Sequence, residues 1–144
     1  MPAFTVRTAT ADEIIDLRHR MLRQGLPREA AKFEIDANPH TLHAAALASD
    51  VVVGCATFTP CPLDTEPAWQ LRGMAVDGAW QNAGLGRAVL AFMEGQLRDR
   101  SVTLLWCNAR TPAVPFYQRQ GWRVISDEFH IPTAGPHFRM RKDL

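Results

Sequence analysis

The stretch Gln81-Asn82-Ala83-Gly84-Leu85-Gly86-Arg87 constrains this chain more than any other. Before it, residues 71–76 (Leu-Arg-Gly-Met-Ala-Val) read as a strand; after it, residues 88–94 (Ala-Val-Leu-Ala-Phe-Met-Glu) read as the start of a helix. A strand, a glycine turn and a helix N-terminus make an anion site, because the first helical N–H groups lack intrahelical acceptors and the helix dipole is positive there. Gly84 and Gly86 have no Cβ, so a phosphate can come close to the backbone, and Arg87 adds a fixed positive charge. A P-loop would need Gly-Lys-Ser/Thr, which is absent, and a dinucleotide fingerprint would need glycine where Val89 stands. Read for local structure alone, the stretch is a tight turn into an amphipathic helix.

At 144 residues the chain suits one domain, 1–144, with one sizeable core. A net charge of +1 gives no reason to expect nucleic acid or an anionic membrane as partner. No apolar run approaches the roughly 20 residues that span a bilayer. Residues 1–7 lack the apolar core of a signal peptide, so the expected location is the cytoplasm. Cys55, Cys61 and Cys107 form neither a disulfide framework nor a zinc motif, and Cys55 and Cys107 sit in apolar runs as core residues. The five histidines show no paired ligand spacing, and no metal is expected.

In chain order, residues 4–8 alternate as a first strand. Thr10 with Glu13 makes a capping box for a helix through Ile14, Leu17 and Met21, with Gly25 as its stop. Pro27 opens a second short helix over residues 28–33, ended by Asn38-Pro39. Residues 41–47 and 51–59 read as a hairpin turning at Ser49-Asp50. The proline-rich segment 60–67 is a surface loop leading into a strand over 68–76. The helix after the glycine turn runs to about Arg98, and residues 101–107 read as a buried strand. This strand–helix–strand order predicts a parallel pair. Thr111-Pro112 opens a short helix to Gln120, Gly121 stops it, and residues 122–125 and 136–140 read as two final strands with a turn at Thr133-Ala134-Gly135. The four tryptophans read as packing residues.

Two motifs in this order resemble the GNAT family of N-acetyltransferases. One is the Gln-x-x-Gly-x-Gly of residues 81–86, similar to that family's Gln/Arg-x-x-Gly-x-Gly/Ala pyrophosphate loop. The other is residues 106–122, where a strand, Asn108, a short helix bearing Phe116-Tyr117 and then Gly121-Trp122 follow the family pattern. The resemblance covers nearly the whole chain, most strongly residues 71–122. It implies a mixed α/β fold, with a mostly antiparallel twisted central sheet flanked by helices and a splayed parallel strand pair.

The resemblance also implies acetyl-CoA as cosubstrate and a small-molecule or peptide amine as acceptor. Met74, Ala75 and Val76 would meet the pantetheine arm as an added strand. Gln81, Asn82, Ala83, Gly84, Leu85, Gly86 and Arg87 would hold the pyrophosphate. Asn108, at the end of the other diverging strand, either reaches the pantetheine or merely forms a turn. Tyr117, the sole tyrosine, matches the family's acid for the leaving thiolate; a phenol with pKa near 10 is protonated at neutral pH. The alternative for Tyr117 is a packed aromatic.

The base is open. The histone-modifying branch carries Glu near the start of the strand that ends at Val76, whereas this chain has Gln70. A water relay, a partly neutral amine and His137 are alternatives, with His130, Asp127 and Glu128 weaker. Arg72 either binds an anionic substrate group or pairs with a carboxylate. The segments before residue 38 and the 60–67 loop are expected to line the acceptor side. Homodimers are common in the family. The reading from another class is a non-catalytic acyl-CoA-binding or regulatory module; a nucleotide hydrolase lacks its P-loop lysine.

Overall fold

A computed structural model describes residues 3–144; Met1 and Pro2, the first residues of the segment read for a leader, lie outside the described residues. The elements run β1 (Thr5–Ala9), α1 (Ala11–Leu22), β2 (Leu42–Ala48), β3 (Val51–Pro60), β4 (Trp69–Val76), α2 (Leu85–Asp99), β5 (Leu104–Arg110), α3 (Val114–Arg119), β6 (Arg123–Val124), β7 (Phe129–Ile131) and β8 (Gly135–Asp143). They form one sheet in the order β1-β2-β3-β4-β5-β8-β6, with β7 also on β8. Every strand pair is antiparallel except β4–β5. No described helix is long and apolar enough to cross a membrane.

Successive residues of β2 serve opposite faces of the sheet. Ala44 and Ala46 pack under α2 with Val89, Leu90, Met93 and Leu97. Ala45 packs with Cys55 and Ala75 under Ile14 and Leu17 of α1. A strand covered on both faces needs a near-continuous apolar run, which Ala44-Ala45-Ala46 supplies. The Thr10–Glu13 capping box forms as expected, with Glu13 N–H donating to Thr10 Oγ1 at 3.3 Å and Thr10 N–H to Glu13 Oε1 at 3.0 Å. Ser49 and Asp50 turn the hairpin, both at positive φ.

The second short helix opens after Pro27 as expected but is a 3₁₀ helix over Arg28–Ala31, followed by another over Glu34–Ala37. The fully buried Arg18 of α1 holds this segment, donating to the Ala31 carbonyl at 2.9 Å and to Asp36 at 2.7 Å. Those long-range bonds outweigh the weak helix tendency of a six-residue stretch.

β4 and β5 pair only at Trp69–Leu105 and Gln70–Trp106, then part. On its other edge β4 is bulged: Cys55 faces Ala75 and Thr57 faces Arg72, so Gly73 and Met74 both oppose Ala56. Gly73 takes φ +61°, a left-handed value that glycine adopts without penalty. A Cβ there would lie 2.8 Å from the Phe33 ring, so only glycine lets Phe33 close on the bulge. The bulge bends β4 and opens the sheet.

The strands β5, β7 and β8 differ from expectation. β5 starts at Leu104 and continues to Arg110, because β8 pairs with it along its whole length. Asn108 therefore lies within the strand, opposite Arg139. β7 was not foreseen: it is only three residues long and follows the acidic Asp127-Glu128. β8 extends to Asp143, past the expected end at Met140, carried by partners on both edges.

Candidate active site

The parting of β4 and β5 leaves a cavity of about 440 Å³. Its floor is Gln70, Leu71, Arg72, Gly73 and Met74 from β4 and Cys107, Asn108, Ala109 and Arg110 from β5. Leu22, Arg23 and Phe33 wall it on one side, and Ile131, Ala134 and His137 on the other. Tyr117 and Ala113 close it. The 60–67 loop does not line it. Leu63 and Ala68 pack instead on Leu104 and Trp106, and the Trp106 indole N–H donates to the Cys61 carbonyl at 2.9 Å.

From Leu71 to Val76 the β4 edge that faces β5 has no strand partner. Met74 lies on this stretch and lines the cavity, whereas Ala75 is buried under α1 and Val76 pairs with Gly54. The Gln81 side chain donates from Nε2 to the Val76 carbonyl at 3.1 Å, tying the glycine turn to the end of β4. Asn82 and Gly84 both hold positive φ, +63° and +79°, and reverse the chain into α2. The first helical bond is Ala88 N–H to Gly84 O, so the N–H groups of Leu85, Gly86 and Arg87 have no acceptor within α2. Gly84 has nothing within 4 Å of the place its Cβ would occupy, and Arg87 is exposed without a carboxylate partner among the described residues. Ala83 is half-buried in the turn.

Gly86 differs from its expected setting. A Cβ there would meet Phe116 at 3.2 Å and Met74 at 3.4 Å, two side chains beside the cavity. Gly86 is thus the point where the start of α2 touches both β4 and α3.

α3 is pinned at both ends. Pro115 lies in its first turn, and Gly121 at φ +92° follows it, with Trp122 N–H bonded to the Tyr117 carbonyl at 3.0 Å. The Tyr117 ring packs edge-on against Phe116 and Trp122, at centroid distances of 5.2 and 5.6 Å. Its hydroxyl donates to Met74 Sδ at 3.6 Å. Burial pushes the phenol well above its ordinary pKa, and the neighbouring Cys107 adds to the rise. Tyr117 is therefore a protonated donor at the cavity wall throughout the neutral range.

Asn108 also lines the cavity, but its Oδ1 is occupied by the Arg139 Nε–H at 3.1 Å. Arg139 in turn lies over the Trp106 ring at 4.8 Å. The Asn108 amide is held by a neighbour, with its NH₂ left to donate. The buried His137 donates from Nδ1 to the Gly135 carbonyl at 2.7 Å, since a carbonyl can only accept. In the neutral ring this fixes Nε2 as an acceptor, and Nε2 has no protein partner among the described residues.

The wall opposite comes from the segments before residue 38, as expected, but Phe33 itself was not singled out by the sequence. Phe33 lies under three guanidinium groups, those of Arg18, Arg23 and Arg72, at 3.9, 5.3 and 5.1 Å from its centroid. Arg18 occupies a core-facing position between Leu17 and Met21. A charge in that register had to find a buried partner, which was a readable signal. Arg72, the residue left between two readings, has no carboxylate partner among the described residues.

The family model described as the acetyltransferase (GNAT) family matches residues 11–122. YitI of Bacillus subtilis (strain 168), described as an uncharacterized N-acetyltransferase, is 31% identical over 142 residues, covering 96% of this chain and 95% of that protein. An aminoglycoside 6'-N-acetyltransferase solved with coenzyme A superposes with a TM-score of 0.78 at 15% identity, covering 96% of each chain. ElaA of Escherichia coli gives a TM-score of 0.78 at 14% identity over 97% of this chain and 99% of that one.

Proposed function

The chain belongs to the acetyltransferase (GNAT) family, and from that premise we propose how its cleft works as an acetyl-CoA-dependent N-acetyltransferase. The observation that carries the assignment of the cleft is the early parting of β4 from β5. It leaves a bare strand edge and a buried phenol at one cavity, and a row of unbonded helix N–H groups outside the cavity lining, where Gly86 meets Met74. Each group fits a part of acetyl-CoA. The unpaired edge at Met74, Ala75 and Val76 suits the amides of the pantetheine arm, and the Asn108 NH₂ suits a carbonyl of the same arm. The turn from Gln81 to Arg87, with three N–H groups free and open space at Gly84, suits the pyrophosphate.

The chemistry follows from the two sides of the cavity. A neutral amine enters from the Phe33 side and attacks the thioester carbonyl. The N–C bond forms, and a backbone N–H on the free edge of β4 past the bulge stabilises the tetrahedral oxyanion. Collapse breaks the C–S bond, and Tyr117 gives its proton to the departing sulfur. The amine proton goes to His137 Nε2, directly or through water. Gln70 lines the cavity but its amide cannot accept that proton. Cys55 and Cys107 are unsuited to a covalent relay: burial pushes both thiols up, to about 11 and about 12.

The test is release of CoA on mixing the protein with acetyl-CoA and a broad panel of amines. Amine-dependent release is expected. Tight acetyl-CoA binding with no transfer to any amine would instead make the protein a binding module.

A further inference from the structure

Among the described residues, three arginines, Arg23, Arg72 and Arg110, line the cavity, and no aspartate or glutamate does. They come from three separate elements: the end of α1, the bulged part of β4 and the end of β5. Arg23 and Arg110 both donate to the Leu22 carbonyl, at 3.0 and 3.4 Å, so Arg110 reaches across the opening to meet α1. Arg23 and Arg72 share the Phe33 ring. The nearest carboxylate of the cluster, Asp36, is already taken by Arg18 at 2.7 and 3.2 Å. Asp36 is bonded to Arg18 and acts on Arg72 only through space, so Arg23, Arg72 and Arg110 have no carboxylate ion-pair partner among the described residues.

Such a cluster is unfavourable in an empty protein. Like charges repel, and partial burial removes the water that would screen them. For Arg23 and Arg72 burial, then the neighbouring guanidinium groups, lower the pKa, which reports the same stress. The aromatic ring beneath offsets part of it. An anion placed among the three would offset the rest, and guanidinium forks match the geometry of carboxylate and phosphate oxygens.

We propose that the acceptor amine carries an anionic group, carboxylate or phosphate, in the same small molecule, and that Arg72 and Arg110 bind it with Arg23 beside them. This rests on the transferase reading of the cleft above. The Phe33 face then packs the carbon chain between amine and anion. The same cluster repels multiply cationic amines, so polyamines and aminoglycosides are poor acceptors.

The experiment uses matched probes: amino acids against their own amides, phosphoethanolamine against ethanolamine, and a polyamine. The amide carries the less basic amine and has more of it neutral at pH 7, so intrinsic reactivity favours the amide and works against the proposal. A kcat/KM at least tenfold higher for the acid or the phosphate than for its uncharged partner is expected. Which of the two pairs shows the preference identifies the anion. Arg72→Gln should cut the acid-over-amide ratio at least tenfold, with Arg72→Lys between it and the wild type. Equal or better turnover of amides, ethanolamine or the polyamine would overturn the proposal, and so would a panel with no turnover at all. Calorimetry with acetyl-CoA on the same wild-type protein separates the two readings. Failure to bind acetyl-CoA contradicts the transferase cleft, whereas normal binding with no anion preference contradicts only the acceptor class.

Discussion

The Tyr117 hydroxyl points across the opening between β4 and β5 onto the sulfur of Met74, 3.6 Å away. A thioether is a weak acceptor. The bond keeps the phenol aimed at β4 and is readily exchanged for a thiolate, a far better acceptor.

Tyr117→Phe keeps the ring between Phe116 and Trp122 and removes only the donor. Turnover should fall roughly 10²-fold, the lower part of the range for general acid catalysis, because a thiolate is a tolerable leaving group unaided. Acetyl-CoA affinity should change little. Because burial raises the phenol, an alkaline limb below about pH 10 does not come from Tyr117. Wild type and variant should therefore share any such limb. Equal turnover numbers, with chemistry rate-limiting, would remove Tyr117 from the mechanism.

His137→Asn tests the proton acceptor. Its amide nitrogen stands in the place of Nδ1 and can still donate to the Gly135 carbonyl but cannot take a proton from the amine. Turnover at saturating substrates should drop by roughly 10²-fold with acetyl-CoA affinity retained. A turnover number within twofold of wild type would give that proton to water alone.

Much of this site could be read from residue order. The glycine turn, Asn108 and Phe116-Tyr117 are local patterns whose spacing survives into the fold. That the segments before residue 38 wall the acceptor side was legible, but the place of Phe33 in that wall was not, because it depends on bonds between Arg18 and residues 13 and 18 positions further along the chain. The bulge at Gly73 was equally hidden. A lone glycine in a strand hints at a bulge, but its register needs the partner strand. His137 was visible as a residue; its tautomer depends on the turn that brings the Gly135 carbonyl beside it. The place of Ala75 in the cleft strand was legible, but the burial of its side chain under α1 was not.

Gly86→Val would press its Cβ on Phe116 and Met74. A double loss is expected. Acetyl-CoA affinity should fall at least tenfold, about 1.4 kcal/mol, and turnover should fall as well because the Met74–Tyr117 contact shifts. Gly84→Ala strains a left-handed residue, at roughly 1 kcal/mol, and should weaken binding while sparing turnover at saturation. Unchanged calorimetric affinity in both folded variants would displace the pyrophosphate from this turn.

The Arg18–Asp36 pair should dominate the stability of the acceptor side. Arg18 is wholly buried and also donates to Thr57 at 2.8 Å. Arg18→Met leaves Asp36 without its partner and should cost about 3–5 kcal/mol, with part recovered in the double variant Arg18→Met/Asp36→Asn. Burial acts to raise the Asp36 carboxyl, but the hydrogen bond and charge of Arg18 and the Phe33 N–H lower it further, and the net shift is down. Burial lowers His43. Both groups bind fewer protons folded than unfolded, so their contributions are whole at neutral pH. His43's share starts to go as pH falls below about 6.5, and Asp36's goes once pH passes below the ordinary carboxylate range. Urea midpoints should decline in that order on acidification; a midpoint flat from about pH 7 to about pH 3 would contradict the assignment.

Direct transfer inside one complex is the central claim, and initial rates measured with acetyl-CoA and the amine varied together test it most directly. Intersecting double-reciprocal lines, with acetyl appearing on the amine and none on the protein, are predicted. Parallel lines with acetyl trapped on a cysteine would contradict it.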